Sequence, residues 1–232
     1  KSGHIHLSIS FGLRTKVFAD EDIALILMQA EDNMYCNKVI ESDKMKVKTV
    51  KLIFKNLYGN YPWEERHSKS VSELCEKLAI ALNLDEQDKI DIKTAGLLHD
   101  IGKIALSKDI LIKPDKLTDS EKMEVMRHSE IGYHILKATN EYARLASFVI
   151  AHHERVDGKG YPKGLKGHEI PYQAKIISIV EAYDTMINES PYGYAMSEKE
   201  AILELKKNVD TQFDKHFTKI FVQKVLVKDW EI

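Results

Sequence analysis

Apolar residues recur at steps of three and four over most of this chain, a period that predicts amphipathic helices. The clearest stripe runs from Val71 through Leu74 to Leu78. A lysine-rich helix is predicted over residues 42–58, and a Gly-Asn-Tyr-Pro segment at residues 59–62 ends it. Every segment that we can assign beyond this break is helical. The pattern therefore predicts a mainly α fold, in which several helices pack as a bundle.

The N-terminal segment has a different pattern. Polar and apolar residues alternate over residues 4–13, which predicts a half-buried strand with His4 and His6 on one face. A helix then starts near residues 20–22, where two aspartates flank a glutamate. We therefore expect a small α+β segment before the helical region.

Several later helices have recognisable start signals. The residues at 118–121 and at 197–200 have the spacing of a capping box. We expect the first of these two helices to carry His128 about three turns later, with Ile131 and Ile135 on the same face. Pro171 suits the first turn of another helix. A last amphipathic helix is predicted over residues 217–230.

The composition limits the classes of function. With 44% hydrophobic and 30% charged residues, the chain has the make-up of an ordinary globular protein. A formal net charge of -2 argues against binding of double-stranded nucleic acid by charge alone. No apolar run approaches the roughly 20 residues that span a bilayer, so we expect no membrane span in this chain. Cys36 and Cys75 are too few for a disulfide framework, which predicts a reducing, cytoplasmic setting.

Histidines and carboxylates occur on the apolar stripes or at the ends of five successive predicted helices. Such groups are costly to bury without a partner. Imidazole and carboxylate suit first-row transition metals, and this set is too large for one tetrahedral ion but suits two octahedral ions that share a carboxylate. The sequence therefore predicts a dinuclear centre with Asp184 placed to orient a ligand. The candidate ligands are His67, His99, Asp100, His128, His152, His153 and Glu181.

The densest stretch of this chemistry is residues 152–162, which read His-His-Glu-Arg-Val-Asp-Gly-Lys-Gly-Tyr-Pro. Paired histidines can also close a helix C-terminus, where the helix dipole favours them, and Asp-Gly-Lys-Gly can form an ordinary turn. The other histidine and carboxylate positions favour the metal interpretation over these two.

Together these residues resemble the signature of the HD-GYP phosphodiesterases, a branch of the HD metal-dependent phosphohydrolases. The resemblance covers roughly residues 47–232. It implies an HD-type helical bundle with two or three metal ions, usually iron or manganese, that linearises cyclic di-GMP to pGpG and sometimes to GMP. The motifs that carry it are His67, His99-Asp100-Ile101-Gly102-Lys103, His128, His152-His153-Glu154-Arg155 and Asp157-Gly158-Lys159-Gly160-Tyr161-Pro162.

A mechanism follows from the resemblance and the ligand chemistry. Two cations would lower the pKa of a bridging water, so that hydroxide attacks phosphorus in line with the departing 3′ oxygen. We expect Asp100 to bridge the ions, with His67, His99 and Glu181 beside one ion and His128, His152 and His153 beside the other. Lys103 is a candidate catalytic and phosphate-binding residue. Further candidates for substrate binding are Arg155, Lys159, Tyr161 and Pro162.

A second resemblance concerns the N-terminus. Residues 8–12 and 30–38 resemble the closing strand and helix of a GGDEF domain, although the glycine-rich signature of that family is absent. We therefore interpret residues 1–46 as the C-terminal remnant of a GGDEF-like domain without cyclase activity, and residues 47–232 as an HD-GYP domain. Besides cyclic di-GMP or a related nucleotide, a second copy of the chain and a GGDEF protein are candidate partners.

Three departures from the HD-GYP pattern keep alternatives open. Glu181 stands where the family usually has an aspartate, and Trp63 stands where three-metal members have a glutamate, with Glu64 out of register, so we expect two metals. Ser190 and Gly193 replace basic residues that hold the nucleotide, which should weaken its binding. The alternatives to a cyclic di-GMP phosphodiesterase are a catalytically weakened signalling or binding module and an HD phosphohydrolase acting on another nucleotide.

Overall fold

A computed structural model of the protein describes residues 9–18, 21–113, 115–188 and 195–230. In these ranges the chain forms helices and no sheet, with isolated β-bridges at Asp157–Lys166 and Val209–Phe213. The predicted mainly α fold class is therefore confirmed. The α helices are α1 (Ile23–Asn60), α2 (Pro62–Ala81), α3 (Glu86–Leu98), α4 (Lys108–Leu111), α5 (Asp119–Met126), α6 (His128–Lys137), α7 (Ala146–Ala151), α8 (Tyr172–Ile187), α9 (Glu198–Lys207) and α10 (Lys215–Ile220).

The chain divides into two compact units between Val50 and Lys51, a point that lies within α1. The helices predicted from residues 20–22 and over residues 42–58 are one continuous helix. No glycine or proline lies between them to break the hydrogen-bond ladder. The predicted break falls at Tyr61, where Pro62 opens α2.

The predicted N-terminal strand is wrong in its described part, residues 9–13, which form no regular structure. A strand needs a neighbour for its backbone groups, and the described residues provide none. Side-chain amides of α1 take that place: Asn37 donates to the carbonyl of Phe11 at 3.0 Å and Asn33 donates to that of Leu13 at 3.2 Å. His4 and His6 lie outside the described residues. The small α+β segment is thus not supported.

In the second unit, α8 is the central helix, and it contacts α2, α3, α7, α9 and α10. It is apolar on several sides, and Ala174, Ile176, Ile177, Ile179 and Val180 are fully buried. Helices with an apolar surface all round belong in a core. Polar residues of α8 that face its neighbours therefore lie in the interior of this unit, which is the position of Glu181 and Asp184.

The predicted capping boxes at Thr118 and Ser197 are both present. Two helix ends differ from the prediction. Helix α5 stops at Met126 and His128 opens α6, because the Arg127 N–H donates to the carbonyl of Glu124 in a tighter turn.

The last predicted helix, over residues 217–230, is shorter than expected. α10 continues as a π-helical turn at Phe221–Val225, and Val227 adopts a positive φ of 53° that ends it. No helix in the described ranges combines the length and the apolar content that a bilayer crossing needs.

Candidate metal centre

The predicted site residues from α2, α3, α6, α7 and α8 converge on one region of the second unit. A cavity of about 630 Å³ opens there. Helix ends deliver several of the side chains: His99 caps α3, His128 opens α6 and His152 caps α7. The predicted ligands that line the cavity are His67, Asp100, His128, His153 and Glu181.

The imidazoles form two groups. Ligand atoms of His128, His152 and His153 lie within 4.8 Å of one another, and so do those of His67, His99 and Glu181. In the first group, the Nε2 atoms of His152 and His153 each lie 3.2 Å from Nε2 of His128. These spacings allow each group to surround one ion.

The Asp100 carboxylate lies between the two groups. Its Oδ2 is 3.1 Å from His99 Nε2 and 3.9 Å from His67 Nε2, and its Oδ1 is 3.3 Å from His128 Nε2. One carboxylate therefore faces both sets of nitrogens. Glu181 also reaches across, since its oxygens lie 3.7 Å from His153 Nε2 and 3.9 Å from His152 Nε2.

Hydrogen bonds from the opposite ring nitrogens orient the imidazoles. Nδ1 of His99, His128 and His152 lies 2.7, 2.6 and 2.5 Å from the carbonyl oxygen three residues earlier in each case. A carbonyl can only accept, so these Nδ1 atoms carry the proton. The Nε2 atoms of His128 and His152 are then free to bind a cation, as is usual for metal-binding histidines, and Nε2 of His99 becomes free once its second proton is lost.

Asp184 performs the same task for His67. Its Oδ2 lies 2.7 Å from His67 Nδ1, while Ser70 Oγ donates to Oδ1 and Asn188 Nδ2 donates to Oδ1 at 3.0 Å. Asp184 is fully buried. The structure thus places the predicted orienting residue in hydrogen-bond contact with a predicted ligand.

Burial and neighbouring charges shift the pKa values of the site. Burial lowers the pKa of His152 and His153 well below the usual value, and neighbouring imidazoles lower it further, so both rings are neutral. Burial also opposes the charged form of His99, but Asp100 outweighs it and raises the pKa of His99 to about 9. Burial raises the pKa of Glu181 to about 7.

The buried polar atoms fit a metal pair. His99 Nε2 and Asp100 Oδ1 are buried without a hydrogen-bond partner in the described part of the chain, and Asp100 Oδ2 has an ion pair with Lys103 Nζ at 2.7 Å. Buried polar atoms without partners are destabilising by about 1–3 kcal/mol each. Nitrogen and oxygen ligands of this kind suit divalent transition metals, so bound ions would satisfy these atoms.

Comparison with known families agrees with this arrangement, since residues 52–217 match the HD domain family. The chain belongs to the HD domain family. Two solved HD-type structures share the fold. The HDG"Y"P protein Bd1817 of Bdellovibrio bacteriovorus has a TM-score of 0.59 at 18% identity, over 91% of this chain and 75% of that one. The HD domain of L. monocytogenes phosphodiesterase PgpH, in complex with cyclic-di-AMP, has a TM-score of 0.53 at 15% identity, over 75% and 93%.

Curated relatives of this HD domain chain are named as phosphodiesterases. The "Cyclic di-GMP phosphodiesterase" of Thermotoga maritima is 32% identical over 223 residues, which are 87% of this chain and 57% of the relative. The "3'3'-cGAMP-specific phosphodiesterase 3" of Vibrio cholerae serotype O1 is 36% identical over 153 residues, 66% of this chain and 33% of the relative. The chain thus spans between a third and somewhat over half of these relatives.

One acidic residue of the HD domain cavity, Glu64, was set aside in the sequence as out of register. Glu64 is 2% exposed, lines the cavity and holds Lys103 Nζ at 3.0 Å from both of its oxygens. The HD-GYP pattern places a glutamate four residues before His67, whereas Glu64 stands three residues before it. On a helix, the position three residues before faces the same side, and this period could have identified Glu64.

The predicted substrate-binding residues of the HD domain occupy different environments. Tyr161 lines the cavity and stacks on His153 with ring centroids 4.7 Å apart, and a cis peptide bond joins it to Pro162. Arg155 instead binds both oxygens of Asp157, at 3.1 and 2.9 Å, and Gln212 at 2.9 Å. Lys159 is exposed on the same turn. Ser190 and Gly193 lie outside the described residues.

Backbone geometry explains two glycines near this site. Gly158 has a φ of 77°, a conformation that side chains disfavour. At Gly102, just after Asp100, a Cβ atom would lie 1.9 Å from the carbonyl oxygen of His128. Glycine at 102 therefore lets the segment that carries Asp100 approach α6 closely enough for Asp100 to reach His128.

Proposed function

We propose that this chain is the HD-GYP-type phosphodiesterase domain of a cyclic dinucleotide hydrolase, which converts cyclic di-GMP to pGpG and further to GMP. The observation that carries the proposal is the position of the Asp100 carboxylate, which faces both groups of imidazoles in one cavity. The names of the relatives from Thermotoga maritima and Vibrio cholerae support a cyclic dinucleotide as the substrate class.

In this proposal Asp100 would be a ligand of both ions. His67, His99 and Glu181 would hold one ion, and His128, His152 and His153 would hold the other. Iron or manganese suits these nitrogen and oxygen ligands. When bound, such a pair supplies Lewis acidity that activates water near neutral pH and neutralises charge on the phosphoryl oxygens. The buried imidazoles that are already neutral need not lose a proton to become ligands.

Residues around the ligands prepare the site for a phosphodiester. Lys103 Nζ lines the cavity and has three N–H donors, so it can contact a phosphate oxygen while it stays paired with a carboxylate. Burial acts against its charge, but Asp100 and Glu64 outweigh this and hold the pKa of Lys103 above its usual value. Tyr161 forms part of the cavity wall beside His153, and Asp184 fixes the ring of His67.

The test is a product assay. Protein loaded with manganese or iron(II) is incubated with cyclic di-GMP, and the products are separated by chromatography. We expect pGpG followed by GMP, and we expect the Asp100→Ala variant to form neither. Absence of both products from the loaded wild-type protein after long incubation would reject the proposed activity.

Two specific observations justify a panel of ligands in the same assay. A relative is named for 3'3'-cGAMP. If the chain hydrolyses that dinucleotide in preference to cyclic di-GMP, the proposed reaction stands and only the proposed substrate changes. Ser190 and Gly193 replace the expected basic residues. Saturable binding of cyclic di-GMP without turnover would therefore identify a weakened binding module.

The wider setting is part of the same proposal. We interpret residues 1–46 as a GGDEF-domain remnant on the strength of the sequence resemblance, with a cytoplasmic location that fits the free, buried thiol of Cys75. A homodimer and a GGDEF-protein partner are its candidate assemblies. Light scattering of the purified chain, alone and mixed with a GGDEF protein, tests both.

A further inference from the structure

One face of α2 forms a wall of the cavity. Trp63, Arg66, His67 and Ser70 all line it, and they occupy positions i, i+3, i+4 and i+7. This spacing places four side chains in one stripe along a helix. The stripe has two halves, of which the later one holds a predicted metal ligand.

The later half of the stripe is fully engaged with α8. His67 Nδ1 and Ser70 Oγ both contact the carboxylate of Asp184. The side chains of Trp63 and Arg66, each four residues before one of these two, make no hydrogen bond or ion pair with any residue in the described ranges. The contacts with Asp184 therefore account for His67 and Ser70, but not for Trp63 and Arg66.

Arg66 differs from Lys103, the other cationic side chain of lysine or arginine type in the described cavity wall. Lys103 is paired with Glu64 at 3.0 Å and with Asp100 at 2.7 Å. Arg66 is exposed and has no carboxylate at ion-pairing distance among the described residues. A guanidinium group binds phosphate well because it presents a planar fork of N–H donors. Arg66 thus keeps its full capacity for an anionic ligand.

Trp63 supplies an aromatic ring beside this cation. Its only ring contact in the described structure is with Tyr61, edge to face, at 5.2 Å between centroids and 65° between planes. Its indole N–H is buried without an acceptor among the described residues. A hydrogen bond therefore does not explain its placement in the wall. Aromatic side chains bind nucleotides by stacking on their bases, which needs only the ring.

From these contacts we infer that Trp63 and Arg66 form a nucleotide subsite on the first turn of α2. Trp63 stacks on a base, and Arg66 binds a phosphate oxygen of the same ligand, beside the metal-binding half of the stripe. The identity of the ligand as a cyclic dinucleotide rests on the proposed function. The subsite supplies positive charge and stacking in a chain whose positions 190 and 193 are serine and glycine.

Binding is tested directly by fluorescence. The chain contains two tryptophans, so the Trp230→Phe variant leaves Trp63 as the single indole reporter. Metal-free Trp230→Phe protein is titrated with cyclic di-GMP, which separates binding from turnover. We expect saturable quenching of Trp63. We also expect Arg66→Ala in the same background to shift the midpoint at least about tenfold to higher concentration, since it removes a charge-assisted contact.

Kinetics of the metal-loaded protein provide the matched comparison. Arg66→Ala and Trp63→Ala should each raise KM for cyclic di-GMP about tenfold and leave kcat within about threefold. Trp63→Phe keeps an aromatic ring and should stay within about threefold of wild type in both constants. Lys69→Ala is the control, because Lys69 is an exposed cation of α2 that pairs with Glu65 at 2.7 Å and lies outside the cavity wall.

The outcomes separate this inference from the proposed function. Turnover with unchanged KM in both Arg66→Ala and Trp63→Ala overturns the subsite and leaves the hydrolase intact. Saturable quenching that depends on Arg66, without turnover, supports the subsite and rejects the hydrolase. Absence of both quenching and turnover rejects both. Circular dichroism of Trp63→Ala shows whether the variant is folded, so that a folding defect is not counted as lost binding. Trp63→Phe, which keeps an aromatic ring, is the second variant.

Discussion

His67 and Asp184 are joined by a contact of 2.7 Å between Nδ1 and Oδ2, although 117 positions separate them in the chain. The contact turns the Nε2 atom of His67 toward Asp100, 3.9 Å away. Asp184 is not a proposed metal ligand, but it fixes the orientation of His67, which is one. Several consequences of the site geometry can be measured.

We expect Asp184→Asn to lower the affinity of the site for manganese about tenfold, because loss of a charged hydrogen-bond partner makes a metal-binding histidine a weaker ligand. Competition with a chelating dye measures the affinity. Asp119→Asn is the control, since Asp119 is an exposed acid whose ion pair with Lys122 lies on the surface helix α5. Equal affinity in the wild type and Asp184→Asn would show that Asp184 has no orienting role.

Metal binding should release protons from His99 and Glu181, and the number should depend on pH. In the metal-free protein the pKa is about 9 for His99 and about 7 for Glu181. Both groups must lose their protons to become ligands. His99 is protonated at pH 6 and largely so at pH 8, whereas Glu181 is mostly protonated at pH 6 and mostly ionised at pH 8. These two groups together should therefore contribute about two released protons at pH 6 and about one at pH 8.

Calorimetry in buffers with different ionisation enthalpies counts these protons. The affinity itself should rise with pH, since fewer protons compete with the metal. Glu181→Gln should lower the release at pH 6 by about one proton and leave the release at pH 8 nearly unchanged. Release that is independent of pH in the wild type would contradict the assigned protonation states.

The clustering of the site could be predicted from the sequence, whereas several element boundaries could not. His67, His99, His128 and Glu181 lie on apolar stripes or at helix ends, and burial of such groups requires a shared partner. The helical period of the apolar residues is what identifies these positions in the sequence. The period of two was misleading in its described part, residues 9–13, because a strand also needs a neighbour, and one segment does not reveal whether a neighbour exists.

Helix continuity was equally hard to read from local signals. The separate helices predicted before residue 60 are one helix, and the single helix predicted from Thr118 through His128 to Ile135 is two. A turn such as that at Arg127 is set by how α6 packs on the segment at Ile101–Ala105, which is tertiary information. Glu64 was set aside as out of register, although positions three and four before His67 share a helix face.

A steric prediction concerns Gly102. In Gly102→Ala the new Cβ would lie 1.9 Å from the carbonyl oxygen of His128 and 2.7 Å from the backbone nitrogen of Gly132. Backbone atoms must move to accommodate it, so we expect destabilisation of about 1–3 kcal/mol and a loss of bound metal. Urea unfolding and metal analysis measure the two effects.

Gly59→Ala is the matched control for this substitution. Gly59 lies in the last turn of α1, and a Cβ atom there meets nothing within 4 Å. Alanine is the better helix former, so this variant should be as stable as the wild type or up to about 1 kcal/mol more stable. Similar losses of stability in the two variants would refute the close approach of the Gly102 segment to α6.

The central claim is that helices distant in sequence bring their imidazoles and carboxylates to one pair of cations. Elemental analysis of protein purified without oxygen tests it most directly, with Asp100→Ala as the variant and His216→Ala, at an exposed position in α10, as the control. We predict about two equivalents of iron or manganese in the wild type and in His216→Ala, and a large loss in Asp100→Ala. Metal-free wild-type protein, or equal metal content in wild type and Asp100→Ala, would contradict the account.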